Sequence, residues 1–381
     1  MSKKIKVSLY TIADLGELKN LKSDYARAIF ESLKDNISNV YCRDYKGNDP
    51  RFKKIVLGGK IIFQIIYLFK KFFHIRVDIY SVLDFFAYFK KDDANIIIFH
   101  PYSFRRTCQK FNRMGKITIN IGTSATGRMI SDMNKQEFLK YGFNFPQEYK
   151  ADHLEKSLVS SKYIISQSEY CKSTYVKAGF KPENIFVLTG GIDTKKFKPG
   201  EKTDNVFRVL AMANCGLLKG FQYLLEAWSK MDLKRSELVL LGNPSKEMQV
   251  IFNRYKSFKN IKFIKHSDPI DFYHQSSVLV HPSLSEGSSR VIKEAMACGL
   301  SVICTENSGS IIRNGIDGFI IPIRNTEAIK EKILFFYNNQ NKILEIGKEA
   351  RKNIEKNGTW DNFSGKMSEI VSEIINKNLR K

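Results

Sequence analysis

The six cysteines, Cys42, Cys108, Cys171, Cys215, Cys298 and Cys304, are scattered with no C-x-x-C pair among them. That argues against zinc and dithiol redox motifs and leaves buried free thiols in a reducing compartment as the expectation. Long apolar runs are equally scarce. The longest, Ile61 to Phe69, is interrupted by Gln64 and ends at Lys70-Lys71, well short of the roughly 20 residues a spanning helix needs. The opening Met-Ser-Lys-Lys-Ile-Lys has no apolar core followed by a small-residue cleavage site, so no signal peptide is expected. No Asp-x-Asp stands near a strand end, so no metal and no other cofactor is expected. Neither a repeat nor a nucleic-acid-binding module is recognisable, so nucleic acid is not the expected partner despite the charge.

Acidic residues are also in short supply: 39 Asp and Glu face 62 Lys and Arg, a formal charge of +23. Such an excess implies an anionic partner, whether nucleic acid, anionic lipid or a phosphorylated substrate, without choosing among them. It is concentrated between Arg51 and Ile117, where fourteen Lys or Arg meet four Asp and no Glu. A hydrophobic content of 43% excludes disorder for most of the chain, and 381 residues suit two domains.

The window richest in chemistry is His281 to Thr305. Ser277 to Val280 has strand composition and closes at His281-Pro282-Ser283; Ser288 and Ser289 are good N-cap residues for a helix from Arg290 to Ala297. That helix stops before Gly299, and Leu300 to Cys304 reads as the next buried strand. A β-α-β unit with a Gly/Ser turn at its helix start presents unpaired N–H groups and the positive end of a helix dipole, an arrangement suited to phosphate. Glu286 precedes the helix and Glu294 lies inside it. At about 1.5 Å rise per residue the two are too far apart to share a proton or an ion easily. They either touch different parts of one extended ligand or are ordinary helix-start and solvated acids.

Further patterns surround this window. Ile5 to Tyr10 reads as a first parallel strand followed by a loop through Gly16, a glycine that either approaches a phosphate or merely turns the chain, and a helix from about Ser23 to Leu33. Asn95 to Phe99 and Lys116 to Ile121 read as buried strands, ending at His100 and at Gly122 to Arg128. Ligands of doubly wound sheets bind beyond such strand ends. Phe63 to Phe89, rich in Phe, Tyr, Ile and Lys, is either a basic aromatic patch lying on an anionic membrane or a core helix pair with snorkelling lysines; the charge clustering favours the membrane. A second β-α pattern starts at Phe207 to Met212 and runs through Asn214, Lys219-Gly220 and a helical Phe221 to Met231. Strands are expected at 237–242, 261–265 and 320–322, and helices at 326–338 and from Trp360 onward.

Glu286 and Glu294 with seven residues between them, together with Glu-Ala-Met-Ala-Cys-Gly, resemble the E-x7-E signature of retaining, nucleotide-sugar-dependent glycosyltransferases of family 4. So do Tyr163 to Glu169, Ala178-Gly179-Phe180, Asn184 to Leu188 and Gly190-Gly191-Ile192-Asp193, in that order. The motifs cover roughly residues 163–322. The resemblance implies an α/β GT-B architecture: two Rossmann-like domains facing a central cleft, with a terminal helix crossing back to the first. The expected limits are 1–190 for the acceptor domain, 191–360 for the donor domain and 361–381 for the crossing helix.

By the same resemblance Lys219 and Glu286 serve catalysis, Lys219 gripping the leaving diphosphate and Glu286 orienting the donor sugar. Glu294 takes the ribose hydroxyls, and the amides of Gly287, Ser288 and Ser289 hold the diphosphate. Asn214 stands where the family commonly has an arginine, which leaves one fewer positive charge on the diphosphate. Gly16 is a further donor-site candidate. The loop from Thr123 to Arg128 lacks the family's cleft histidine; Thr123, Ser124 and Arg128 are candidate acceptor contacts. The implied partners are a nucleotide sugar and a saccharide or lipid-linked acceptor, with an anionic membrane surface beneath. This points to a cytoplasmic enzyme of surface-polysaccharide assembly peripheral to the plasma membrane. A catalytically inactive sugar-nucleotide-binding partner subunit is the alternative that Asn214 and the missing histidine suggest.

Overall fold

The computed structural model describes residues 5–12, 14–15, 24–45, 48–56, 79–101, 104–146, 158, 160–265 and 267–379. Gly16 and most of the 63–89 stretch lie outside the described residues.

Two parallel sheets carry the chain. The first contains β1 (Val7–Thr11), β3 (Ile37–Cys42), β5 (Phe52–Lys54), β6 (Ile96–His100), β7 (Ile117–Gly122), β8 (Tyr163–Ser166) and β9 (Ile185–Val187), in the order β5-β3-β1-β6-β7-β8-β9. A small parallel pair, β2 (Asp14–Leu15) and β4 (Asp44–Tyr45), stands apart. The second sheet contains β10 (Phe207–Met212), β11 (Ser236–Leu241), β12 (Ile261–Ile264), β13 (Val278–His281), β14 (Ser301–Thr305) and β15 (Phe319–Ile321), ordered β12-β11-β10-β13-β14-β15. Helices cover both faces, so central strands such as Ile-Ile-Ile-Phe-His in β6 are buried throughout and read as unbroken apolar runs. Both sheets reverse their strand order once, between β1 and β6 and between β10 and β13. Those reversals are where a doubly wound sheet opens a crevice for ligand. The fold is GT-B, as the motifs implied.

The chain crosses between the two sheets twice, side by side. The Ile192 amide donates to the Gly358 carbonyl at 2.8 Å, and Ile192 bridges to Thr359. A Cβ on Gly191 would overlap the Trp360 backbone where the two crossings touch, and one on Gly190 the Tyr25 ring of helix Asp24–Leu33, so both positions need glycine. Helix Trp360–Leu379 then returns to the first domain. Phe363, Met367, Val371 and Ile374, spaced as one helical stripe, pack beside helix Asp24–Leu33 in the core of that domain.

Two of the helices that went unread in the sequence bear on how the domains meet. Gln340–Asn357 lies along the second domain, its Arg351 donating to the carbonyls of Phe197 and Ala297 at 2.7 and 2.6 Å. Gly127–Lys140, which belongs to the first domain by chain order, sets Phe138 into the core of the second, with Met133, Tyr141, Phe143 and Phe145 packed around it. All six cysteines are free and buried. No described helix is long and apolar enough to cross a membrane.

Candidate functional site

The second sheet's reversal point brings the sequence window and the Lys219 segment together. After β10 the chain makes a turn, Leu217–Lys219, that ends at Gly220 with φ +71°. A side chain there would be strained, and its Cβ would overlap the Pro282 carbonyl. Glycine after Lys219 therefore lets the turn rest on the loop that follows β13. The Ser283 hydroxyl and Leu284 amide both donate to the Leu218 carbonyl, at 3.1 and 2.7 Å.

This packing places Lys219 Nζ 2.5 Å from Glu286 Oε1. His281 Nε2 lies 3.1 Å from the same oxygen and 3.2 Å from Ser289 Oγ. Burial would push the Glu286 carboxyl up, but the hydrogen bond from His281 and the nearby Lys219 ammonium outweigh it and hold the group at about 2. Glu286 is therefore ionised across the physiological range. His281, 1% exposed at the end of β13, was passed over in the sequence as strand punctuation; a histidine before Pro at a sheet's reversal point was the available signal.

Ser289 forms the N-cap of helix Arg290–Ala297, yet its hydroxyl faces His281 and does not cap. Its amide donates to the Ser308 carbonyl at 3.1 Å. Of the three amides expected to hold a diphosphate, that of Ser289 is thus already engaged. Among the described residues the Gly287 and Ser288 amides donate to no protein acceptor. Inside the helix, Glu294 is buried and accepts from Tyr273 Oη at 2.8 Å and Arg290 Nε at 2.8 Å. Burial and the adjacent Glu294 carboxylate both raise the Tyr273 hydroxyl well above its ordinary value, so it donates.

The first domain presses on this loop. Ser168 Oγ donates to the Gly287 carbonyl at 2.6 Å, and Tyr170 Oη to Ser285 Oγ at 3.1 Å. A Cβ on Gly287 would overlap the Thr123 carbonyl, so the glycine of Glu-Gly is required by the neighbouring domain. Thr123 and Ser124 are half-buried there, and the Ser124 carbonyl accepts from Tyr175 Oη. Asn214 and Arg128 are exposed, and among the described residues no hydrogen bond or ion pair joins either side chain to the Lys219–Glu286 pair. His100 is buried at the end of β6 and stacked on Tyr25, ring centroids 5.4 Å apart; burial lowers it to about 4, which fits a structural role rather than a base.

A second contact between the domains was invisible in the sequence. Glu137, from helix Gly127–Lys140, is wholly buried and accepts from Arg324 Nε at 2.7 Å, Gln222 Nε2 at 2.9 Å and Tyr223 Oη at 3.0 Å. Gln222 Nε2 also donates to the Leu217 carbonyl at 2.8 Å, joining this contact to the Lys219 turn. Among the described residues no three His, Cys, Asp or Glu side chains group as a metal site would require.

Residues 192–358 match the family model described as glycosyl transferases group 1. The capsular polysaccharide biosynthesis glycosyltransferase CapM of Staphylococcus aureus is 30% identical over 214 residues, covering 50% of this chain and 56% of CapM. A glycosyltransferase of Methanocaldococcus jannaschii is 31% identical over 231 residues, covering 60% of this chain and 62% of that protein. The chain thus spans little more than half of each relative's length. Among solved structures, Anabaena HepE in complex with UDP-glucose superposes with a TM-score of 0.64 at 15% identity, over 96% of this chain and 99% of HepE. Sucrose-phosphate synthase of Thermosynechococcus elongatus gives 0.66 at 17%, over 98% and 100%. At such identities the structures speak to the fold alone. The fold is thus that of the GT-B structures, and the second domain, where the family match lies, is similar to glycosyl transferases of group 1.

Proposed function

We propose that this protein transfers a sugar from a nucleotide diphosphate sugar to a saccharide or lipid-linked acceptor, with retention, in the assembly of a cell-surface polysaccharide. The observation that carries the reading is the convergence, at one sheet reversal, of Lys219, the ionised Glu286, two unengaged amides at a helix start and a buried Glu294. The similarity to CapM and the UDP-glucose held by HepE point the same way.

Glycosyl transfer passes through an oxocarbenium-like transition state while the diphosphate departs with growing negative charge. Catalysis then needs fixed positive groups at the leaving phosphates. Lys219 and the Gly287 and Ser288 amides supply them. Glu286, kept ionised, accepts from donor-sugar hydroxyls, and Glu294 accepts from the ribose; neither requires a metal. Same-face attack by the acceptor gives retention.

The acceptor enters from the first domain, past Thr123, Ser124 and Arg128. Tyr80, Phe85 and Phe89 are exposed on or beside helix Ile79–Tyr88, within the basic region, and suit a protein docked on an anionic membrane at its cytoplasmic face. The exposed, uncharged Asn214 favours a second reading, a sugar-nucleotide-binding subunit without turnover. Incubating the full chain with UDP-, GDP- and ADP-sugars and a lipid-linked acceptor separates them. Product release that is lost in Glu286→Ala supports the enzyme, whereas binding without turnover supports the subunit.

A further inference from the structure

Lysine is among the residues least often found fully buried without a counter-charge. Lys293 is 5% exposed, on a helix whose Ile292, Ala295 and Met296 are core residues. Its Nζ donates to the Gly190 carbonyl in the hinge at 2.7 Å and lies 3.3 Å from Ser288 Oγ. An ammonium has three N–H donors, and the described residues supply these two acceptors. Among the described residues no carboxylate is within ion-pair distance: Glu294, next along the helix, accepts from Tyr273 and Arg290 instead.

The surrounding charges give this cation its significance. Lys219 is paired with Glu286, Arg290 with Glu294, and position 214 is an uncharged asparagine. A diphosphate bound at this loop therefore meets Lys219 sharing its charge with Glu286, and Lys293 is a further cation beside it whose charge no described carboxylate pairs with. The amine sits against Ser288, the residue whose amide is unengaged at the helix start. Burial, then Arg290, lower Lys293 to about 8, against the opposing pull of Glu294, so it remains mostly protonated at neutral pH. A buried cation that lacks an anion is costly to keep. Its retention makes sense if the anion arrives with a ligand.

We infer that Lys293 is a further anion-binding residue of the donor site: its ammonium, fixed between the Gly190 carbonyl and the Ser288 hydroxyl, takes a phosphate oxygen of the nucleotide diphosphate as its third acceptor. The inference rests on the donor-site reading above. It adds that the hinge carbonyl and the diphosphate share one cation, so donor binding engages the segment joining the two domains.

The test is calorimetric titration of the full chain with UDP, GDP and ADP, and with the matching nucleosides, in the wild type and in Lys293→Met, Lys293→Gln and Lys293→Arg. Methionine keeps most of the buried volume, glutamine keeps a donor for Gly190 should the methionine variant fail to fold, and arginine keeps the charge. One charge-assisted bond to phosphate accounts for roughly a 10- to 150-fold loss of diphosphate affinity. That loss is expected in the neutral variants, with nucleoside affinity unchanged and partial recovery in Lys293→Arg. Diphosphate affinity within threefold of wild type in a folded neutral variant, or an equal loss for diphosphate and nucleoside, overturns the inference and leaves Lys293 a hinge fastener. Failure of every nucleotide to bind the wild type at millimolar concentration would instead overturn the donor-site reading itself.

Discussion

The Glu137 cluster makes a quantitative demand on stability. Its carboxylate is wholly buried and takes hydrogen bonds from Arg324, Gln222 and Tyr223, while the Arg324 side chain keeps 30% of its surface in solvent. Arg324 also holds φ at +59°, a conformation a side-chain-bearing residue adopts at a cost of about 1–2 kcal/mol. Removing one partner of a buried pair typically costs about 3–5 kcal/mol, because the other is left uncompensated. Glu137→Ala and Arg324→Met should each fall near that range, Arg324→Met towards its lower end because Gln222 and Tyr223 still solvate the carboxylate. For a domain near 200 residues such a loss lowers the melting midpoint by on the order of 10 °C. The double variant should be less destabilised than the sum of the singles by about 1–3 kcal/mol, as expected for residues in direct contact. Denaturant unfolding of the four proteins measures this. Additivity within about 0.5 kcal/mol would show that the two residues do not act as a pair and would refute the assignment of Glu137 as the link between helix Gly127–Lys140 and the second domain. Because Gln222 also holds the Leu217 carbonyl, Glu137→Ala should loosen the Lys219 turn and weaken diphosphate binding.

Three further outcomes are expected. Gly287→Ala should preserve the circular dichroism of the folded protein but abolish sugar transfer, since its methyl group would overlap the Thr123 carbonyl and drive the domains apart; wild-type turnover would contradict that. A carboxyl depressed from its ordinary value to about 2 contributes stability that is complete above about pH 4.5 and lost as pH falls towards 2. The stability difference between wild type and Glu286→Gln should therefore be flat from pH 7 to about pH 5 and shrink below that, as acid titrations of both proteins would reveal. Anionic vesicles should retain the protein at low salt and release it at high salt, and Phe85→Ser with Phe89→Ser should reduce retention severalfold; equal retention would remove the exposed aromatics from the membrane account.

The architecture was readable because parallel strands covered on both faces are written as short apolar runs, and because a glycine at φ +75°, Gly299, stops helix Arg290–Ala297 as its sequence suggests. Glu286, Glu294 and Lys219 could be picked out only through the resemblance to family motifs; spacing alone left them open. What escaped was everything that depends on contacts between distant segments. Nothing local marks Glu137 as buried; it becomes so when Phe138 inserts into the other domain. Lys293 sits in a helix that reads as an ordinary mixed-charge stretch, and only folding brings it to Gly190, 103 residues away. The Ser289 amide looked available because its acceptor, Ser308, follows the next strand. Local sequence reports propensity and cap chemistry well, whereas which polar groups are already satisfied is a property of the assembled structure.

The most direct test of the central claim is the binding of UDP, GDP and ADP to the purified protein, with Lys219→Ala and Glu294→Ala alongside. The account predicts that one nucleotide binds selectively. Lys219→Ala should weaken the diphosphate at least tenfold while sparing the nucleoside, and Glu294→Ala should weaken both through the ribose. Binding that survives both substitutions, or no binding of any nucleotide at millimolar concentration, would contradict a donor site at the reversal of the second sheet.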